Sequence, residues 1–203
     1  MSGVSHADTI DRTQVTGAIL AGGRAQRMDG ADKGLVVLAG KPLLAHVLAR
    51  LEPQTGAIVI NANRNIDRYA TFGYPVVVDE IGDFAGPLAG IHACLAYAAT
   101  RYVATVPCDT PSLPEDLVPR LATALTAQGA HAAVARTGTR MQPVVALYDR
   151  IAVQASLAAF LRSGARKVEA WQDTLARVIV EFGDEAAAFR NINTPGELAA
   201  SSS

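Results

Sequence analysis

The chain has 203 residues, half of them hydrophobic and 18% charged, with a net charge of −1, the make-up of an ordinary globular protein. The near-neutral balance excludes a global field that would draw it onto nucleic acid or a membrane surface, so phosphate binding falls to local basic residues. Two cysteines without a CxxC and four scattered histidines exclude zinc-ligand spacing and point to reduced, buried thiols.

Residues 1–14 are polar and mixed in charge and lack the apolar stretch of a signal peptide. They are expected to be loose, as are residues 201–203. No apolar run approaches the ~20 residues of a membrane span, which points to a cytoplasmic protein, read as a single domain over 1–203.

The first apolar run, 15–20, reads as a strand and feeds a Gly-rich loop. Leu43, Leu44, Val47, Leu48 and Leu51 recur at helical spacing behind Pro42 and predict a helix over 42–51. A second strand, 57–60, ends at Asn61-Ala62-Asn63, and a third, 76–78, is closed by Asp79. Gly86-Pro87 opens a helix to about 99. A fourth strand, 103–106, leaves through the loop 107–114 into a helix over 115–127. Runs 130–135 and 143–148 read as strands around a turn at Thr137-Gly138; they suit a hairpin, with Pro143 pointing to an edge or a strand start. A helix over 151–161, a strand over 178–182 and a last helix from Thr194-Pro195 complete the pass.

Apolar strands alternating with helices imply an α/β fold: a mostly parallel central sheet, covered by helices on both faces and joined by right-handed crossovers. Ligands of such sheets bind beyond the carboxyl ends of the strands. Standing there are Leu20-Ala21-Gly22-Gly23, Asn61, Asp79 and Cys108-Asp109.

The loop Leu20-Ala21-Gly22-Gly23-Arg24-Ala25-Gln26-Arg27-Met28, followed by Asp32-Lys33-Gly34, has the composition of a phosphate cradle. Adjacent glycines let backbone N–H groups approach phosphate oxygens. Arg27 adds a planar fork and Lys33 a mobile point charge. The bland alternative is a surface turn with two solvated cations. A P-loop is excluded because Gly40-Lys41 runs into Pro42, and a GxGxxG fingerprint is absent.

The pattern LAGGRAQRM…DKGLVVLAGKPLLAHV resembles the molybdenum cofactor guanylyltransferases, within the wider superfamily of sugar-nucleotide pyrophosphorylase-like, Rossmann-like nucleotidyltransferases. The resemblance continues through Asn61-Ala62-Asn63, Gly86-Pro87-Leu88-Ala89-Gly90, Pro107-Cys108-Asp109-Thr110-Pro111 and Asn191-Ile192-Asn193-Thr194-Pro195, from about residue 15 to 200. It implies transfer of GMP from GTP to the terminal phosphate of molybdopterin, or Mo-molybdopterin, with release of pyrophosphate. LAGG, where CTP-using relatives typically carry LAAG or TAAG, resembles the guanine-using branch.

The resemblance also implies roles. Arg27, Lys33 and Asp109 are the catalytic candidates, and Asp109 is the ligand for Mg²⁺, an ion that takes one or two carboxylates with phosphates and waters. The alternative for Asp109 is a cap on the following turn. Leu20, Ala21, Gly22, Gly23, Lys33, Asn61, Asp79 and Asp109 are the GTP-binding candidates. A carboxylate suits the N1–H and N2–H₂ donors of guanine, which makes Asp79 the candidate reader of the base. Gly86, Pro87, Gly90, Asn191 and Asn193 are candidates for the acceptor or for closure of the site, the helix start at Gly86 offering free N–H groups to an anion. Residues 140–143 are weaker acceptor candidates, and Trp171 reads as core rather than a pterin platform. Proteins that deliver or accept the molybdenum cofactor are the expected partners. The remaining alternatives are a related transferase using CTP or a sugar-phosphate acceptor, and a GTP-binding module without turnover.

Overall fold

The computed structural model describes residues 9–22, 32–80 and 86–192. In chain order these form β1 (Val15–Leu20), a small hairpin of β2 (Val37–Leu38) and β3 (Lys41–Pro42), α1 (Leu43–Leu51), β4 (Ala57–Asn61), α2 (Ile66–Ala70), β5 (Val76–Val77), α3 (Pro87–Tyr97), β6 (Tyr102–Pro107), α4 (Leu117–Gln128), β7 (Ala132–Thr137), β8 (Arg140–Asp149), α5 (Arg150–Arg162), α6 (Val168–Gln172) and β9 (Arg177–Glu181). Seven strands build one sheet in the order β5-β4-β1-β6-β8-β7-β9. All pairings are parallel except those of β8, which runs antiparallel to both β6 and β7.

Helices cover both faces, which is why every residue of β1 is buried. Its side chains alternate with the pleat. Val15 and Ile19 pack into one layer with Leu44, Val47 and Leu51 of α1 and Leu117, Leu121 and Leu125 of α4. Ala18 and Leu20 pack into the other with Leu88, Ile91 and Leu95 of α3, Val153 and Leu157 of α5, and Trp171 of α6. The apolar stripe expected on α1 is buried along its whole length. Trp171 is 0% exposed and packs on Tyr148 with ring centroids 5.2 Å apart, so the core reading of the tryptophan holds.

The expected hairpin of β7 and β8 is present, turning at Gly138, but Pro143 marks neither an edge nor a strand start. β8 begins at Arg140 and lies between β6 and β7. Val134 faces Ala146 while its neighbour Ala135 faces Gln142, so Pro143, Val144 and Val145 bulge out of the ladder. A bulge tolerates the missing proline N–H inside a sheet. Two buried side chains take up its carbonyls: Gln172 Nε2 donates to Pro143 O at 2.8 Å and Thr105 Oγ1 to Val144 O at 2.7 Å.

Other boundaries move by a few residues. The strand expected over 76–78 is Val76–Val77, with Val78 exposed beyond it. The hairpin β2–β3, the one-turn helices α2 and α6 and the 3₁₀ segment Gly183–Phe189 are additions too short to leave a periodic pattern. Residues 12–14 are a capped turn rather than loose chain: Asp11 Oδ1 accepts from Thr13 N at 2.8 Å, and Asp11 N donates to Gln14 Oε1 at 3.0 Å. The helix expected from Thr194 lies outside the described residues.

Candidate active site

The carboxyl ends of β1, β4 and β6 finish at one level, with Leu20 paired to Asn61 on one side and to Pro107 on the other. Two further backbone bonds lock that level: Ala21 N donates to Asn61 O at 2.8 Å and Cys108 N to Leu20 O at 3.1 Å. Beyond it opens a cleft of about 240 Å³. Leu20, Ala21, Gly22, Asn61, Pro107, Cys108 and Asp109 line its floor, with Asp32, Lys33, Gly86, Pro87, Val144 and Asn191 around them. The strand-end location expected of an α/β fold is therefore met. Gly23, Arg27 and Asn193, three further candidates, lie outside the described residues.

Lys33 and Asp109 meet on this floor. Lys33 Nζ donates to Asp109 Oδ2 at 3.0 Å across a sequence separation of 76 residues. Asp109 is 7% exposed, so the ammonium offsets much of the cost of holding a carboxylate out of water. The sequence assigned the two residues separately; the fold makes them one cationic–anionic unit. Burial, more than the neighbouring Asp109 charge, pushes the adjacent Cys108 thiol well above its ordinary range, so it stays protonated and is no nucleophile.

Asn61 and Asp79 also meet, beside the cleft. Asn61 Nδ2 donates to Asp79 Oδ1 at 2.8 Å and to Val77 O at 3.3 Å. Asn63 grips Asp79 twice, with Nδ2 donating to Oδ2 at 2.7 Å and Oδ1 accepting from the Asp79 backbone N at 2.9 Å. The same Asn63 amide reaches Gly22 O at 3.4 Å. The sequence marks Asn63 as a strand terminator and part of the Asn61-Ala62-Asn63 block, without a role in the site. The signal was there, since residues 61 and 63 alternate along an extended segment and project to one side. Asp79 itself is not among the residues lining the cleft; Asn61, which it holds, is.

The glycines here make room for Asn61. A Cβ on Gly90 would stand 2.3 Å from Asn61 Oδ1, and one on Gly22 would stand 2.7 Å from the same atom. Gly90 thus leaves room for the Asn61 amide and is not itself among the residues lining the cleft. Gly86 and Pro87 do line the cleft, at the start of α3, where no side chain caps the helix.

Asn191 reaches the site from the far end of the described chain. Its Oδ1 accepts from Thr110 Oγ1 at 2.9 Å, and Ile192 N donates to Asp109 O at 2.9 Å. Of the bulge, Val144 lines the cleft; residues 140–143 do not. Among the described residues no group of three or more His, Cys, Asp or Glu side chains gathers to hold a metal. Asp109 nonetheless suits magnesium, which needs few protein ligands when phosphates and waters supply the rest.

The MobA-like NTP transferase domain model matches residues 17–178. A molybdenum cofactor guanylyltransferase of Cupriavidus pinatubonensis is 50% identical over 194 residues, covering 93% of this chain and 96% of the relative. One from Bordetella pertussis is 51% identical over 193 residues, covering 93% and 97%. The chain belongs to the molybdenum cofactor guanylyltransferase family. The family's fold is shared by molybdopterin-guanine dinucleotide biosynthesis protein A of Archaeoglobus fulgidus, with a TM-score of 0.73 at 24% identity over 92% of this chain and 96% of that one. Among the described residues no helix is long and apolar enough to cross a membrane.

Proposed function

We propose that this guanylyltransferase binds GTP in the strand-end cleft and moves its GMP onto the terminal phosphate of molybdopterin, releasing pyrophosphate. The observation that carries the reading is the Lys33–Asp109 pair on the cleft floor, in a chain half identical to molybdenum cofactor guanylyltransferases. Those relatives favour GTP over the CTP and sugar-phosphate alternatives. Possession of both charged groups argues against a module without turnover.

The acceptor phosphate is already anionic, so the attack on the α-phosphate needs no strong base and no covalent enzyme intermediate. Catalysis reduces to orientation and charge neutralisation. In this reading Lys33 leaves part of its contact with Asp109 to meet the β- and γ-phosphates, and Arg27 joins it. Backbone N–H groups around Gly22 and Gly23 fix the triphosphate. Asp109 would hold Mg²⁺, which when bound would supply positive charge against the phosphates. Asp79 and Asn61 read the guanine, Asp79 held for that task by Asn63. The start of α3 at Gly86 and Pro87 and the Asn191 side face the acceptor. The reaction takes place in the cytoplasm, where proteins that deliver or accept the cofactor are the partners. Product analysis after incubation with GTP, magnesium and molybdopterin tests this: the guanine dinucleotide and pyrophosphate are expected in equal amounts. A dinucleotide formed only from CTP, or no product at all, would sink it.

A further inference from the structure

Lys33 sits in a single 3₁₀ turn, Lys33–Leu35, closed by Leu35 N donating to Asp32 O at 3.0 Å and Val36 N to Lys33 O at 3.1 Å. Both flanks of Lys33 rest on one side chain, Tyr69 of α2. On the N-terminal flank the Tyr69 hydroxyl donates to Asp32 Oδ1. On the C-terminal flank Gly34 lies so close that a Cβ would stand 2.6 Å from the phenol oxygen and 3.1 Å from the ring. Tyr69 is 0% exposed and belongs to the core layer of Leu51, Val106 and Cys108. A buried phenol needs a partner, and a carboxylate gives it a charge-assisted one. Burial above all, with the Asp32 carboxylate beside it, raises its pKa far beyond the ordinary tyrosine value, so it remains a donor. Asn65, in a left-handed conformation at φ 49°, adds its amide to Asp32 Oδ2 at 3.3 Å.

We infer that Tyr69 is a positioning residue for the transfer: its hydroxyl, through Asp32, fixes the turn that carries Lys33, so that the ammonium stands beside Asp109 where the triphosphate must bind. A lysine has a flexible four-carbon stem, so where its charge reaches depends on how firmly its backbone is anchored. Tyr69 touches no reacting atom and acts only through that anchor. The inference rests on the proposed contact of Lys33 with the outer phosphates.

The test is a calorimetric titration of GTP and of GMP at fixed magnesium in the wild type, Tyr69→Phe, Lys33→Ala and the double variant. Tyr69→Phe should weaken GTP about three- to tenfold, leave GMP unchanged, and add nothing when Lys33 is already alanine. A core role alone would weaken both nucleotides alike and add in the double variant. Asn65→Gly keeps the left-handed backbone, removes the second tether and should show the same pattern more weakly; it serves if Tyr69→Phe fails to fold. Unchanged GTP affinity in Tyr69→Phe, or an effect that persists in full without Lys33, overturns the tether while leaving Lys33 on the phosphates. Equal losses of GTP and GMP in Lys33→Ala overturn the phosphate contact itself and the inference with it.

Discussion

The two halves of the sheet differ in strand direction and in what they bring to the cleft. On one side β5, β4 and β1 run parallel, and the network of Gly22, Asn61, Asn63 and Asp79 stands at or just past their carboxyl ends. On the other side β8 runs against its neighbours, so what reaches the cleft is not a strand end but the bulge at Val144. Polar side chains are spent there internally, with Gln172, Tyr148 and Thr105 bonded to one another or to the bulge carbonyls. The comparison teaches that one half gathers polar groups at the cleft, whereas the other half holds a shape. β6, with Asp109 just past its end, is the seam between them.

The sharpest way to break this division is through the far half's core. Trp171→Ala removes a side chain that is 0% exposed, and the loss should be about 3–5 kcal/mol in a denaturant titration. GTP affinity of the folded fraction should stay near wild type. A selective loss of GTP binding at unchanged stability would erase the distinction between the halves.

Asp109→Ala strikes the seam. Turnover should fall about 10²–10³-fold, the usual cost of removing a preorganised electrostatic element, while the protein stays folded by circular dichroism. Near-normal turnover at limiting magnesium would remove Asp109 from the metal.

Asp79→Asn tests the proposed reading of the base in the β4–β5 half. One carboxylate oxygen becomes an NH₂ that faces the amide of Asn61 or Asn63, so a donor meets a donor. A mispaired polar group costs about 1–3 kcal/mol. The kcat/KM preference for GTP over ITP, which lacks the 2-amino group, should shrink accordingly. An unchanged ratio would leave Asp79 as a support for Asn61 and nothing more.

The smallest effect is in pH. Burial raises Cys94 and Cys108 above the ordinary thiol value of 9.0. The folded state therefore keeps protons that the unfolded chain gives up. Their contribution to stability is fully present below pH 9.0 and is lost as pH rises past it. A stability–pH curve should fall on the alkaline side, and less steeply in Cys94→Ala. An identical slope in that variant would show that the thiol does not contribute.

What the sequence made legible follows from where the chemistry lies along the chain. Strand ends are local features, so Leu20 to Gly22, Asn61 and Asp109 could be placed from apolar runs and their polar terminators. The reach of Lys33 to Asp109 and of Tyr69 to Asp32 could not, because each depends on the packing of segments far apart in sequence. The bulge at Pro143 was visible as an anomaly but misread, since a proline in a strand fits an edge as well as a bulge. Asn63 was missed although its alternation with Asn61 was in plain view.

The bond from Ile192 N to Asp109 O and that from Thr110 to Asn191, 81 residues apart, give the site a timetable. A ribosome releases β1, β4 and β6 long before residue 192. Until that late segment emerges and docks, the nascent chain carries Asp109 without its final neighbour. A stretch synthesised much later than Asp109 thus completes the wall beside it, and the cleft reaches its finished form only when translation has passed that point.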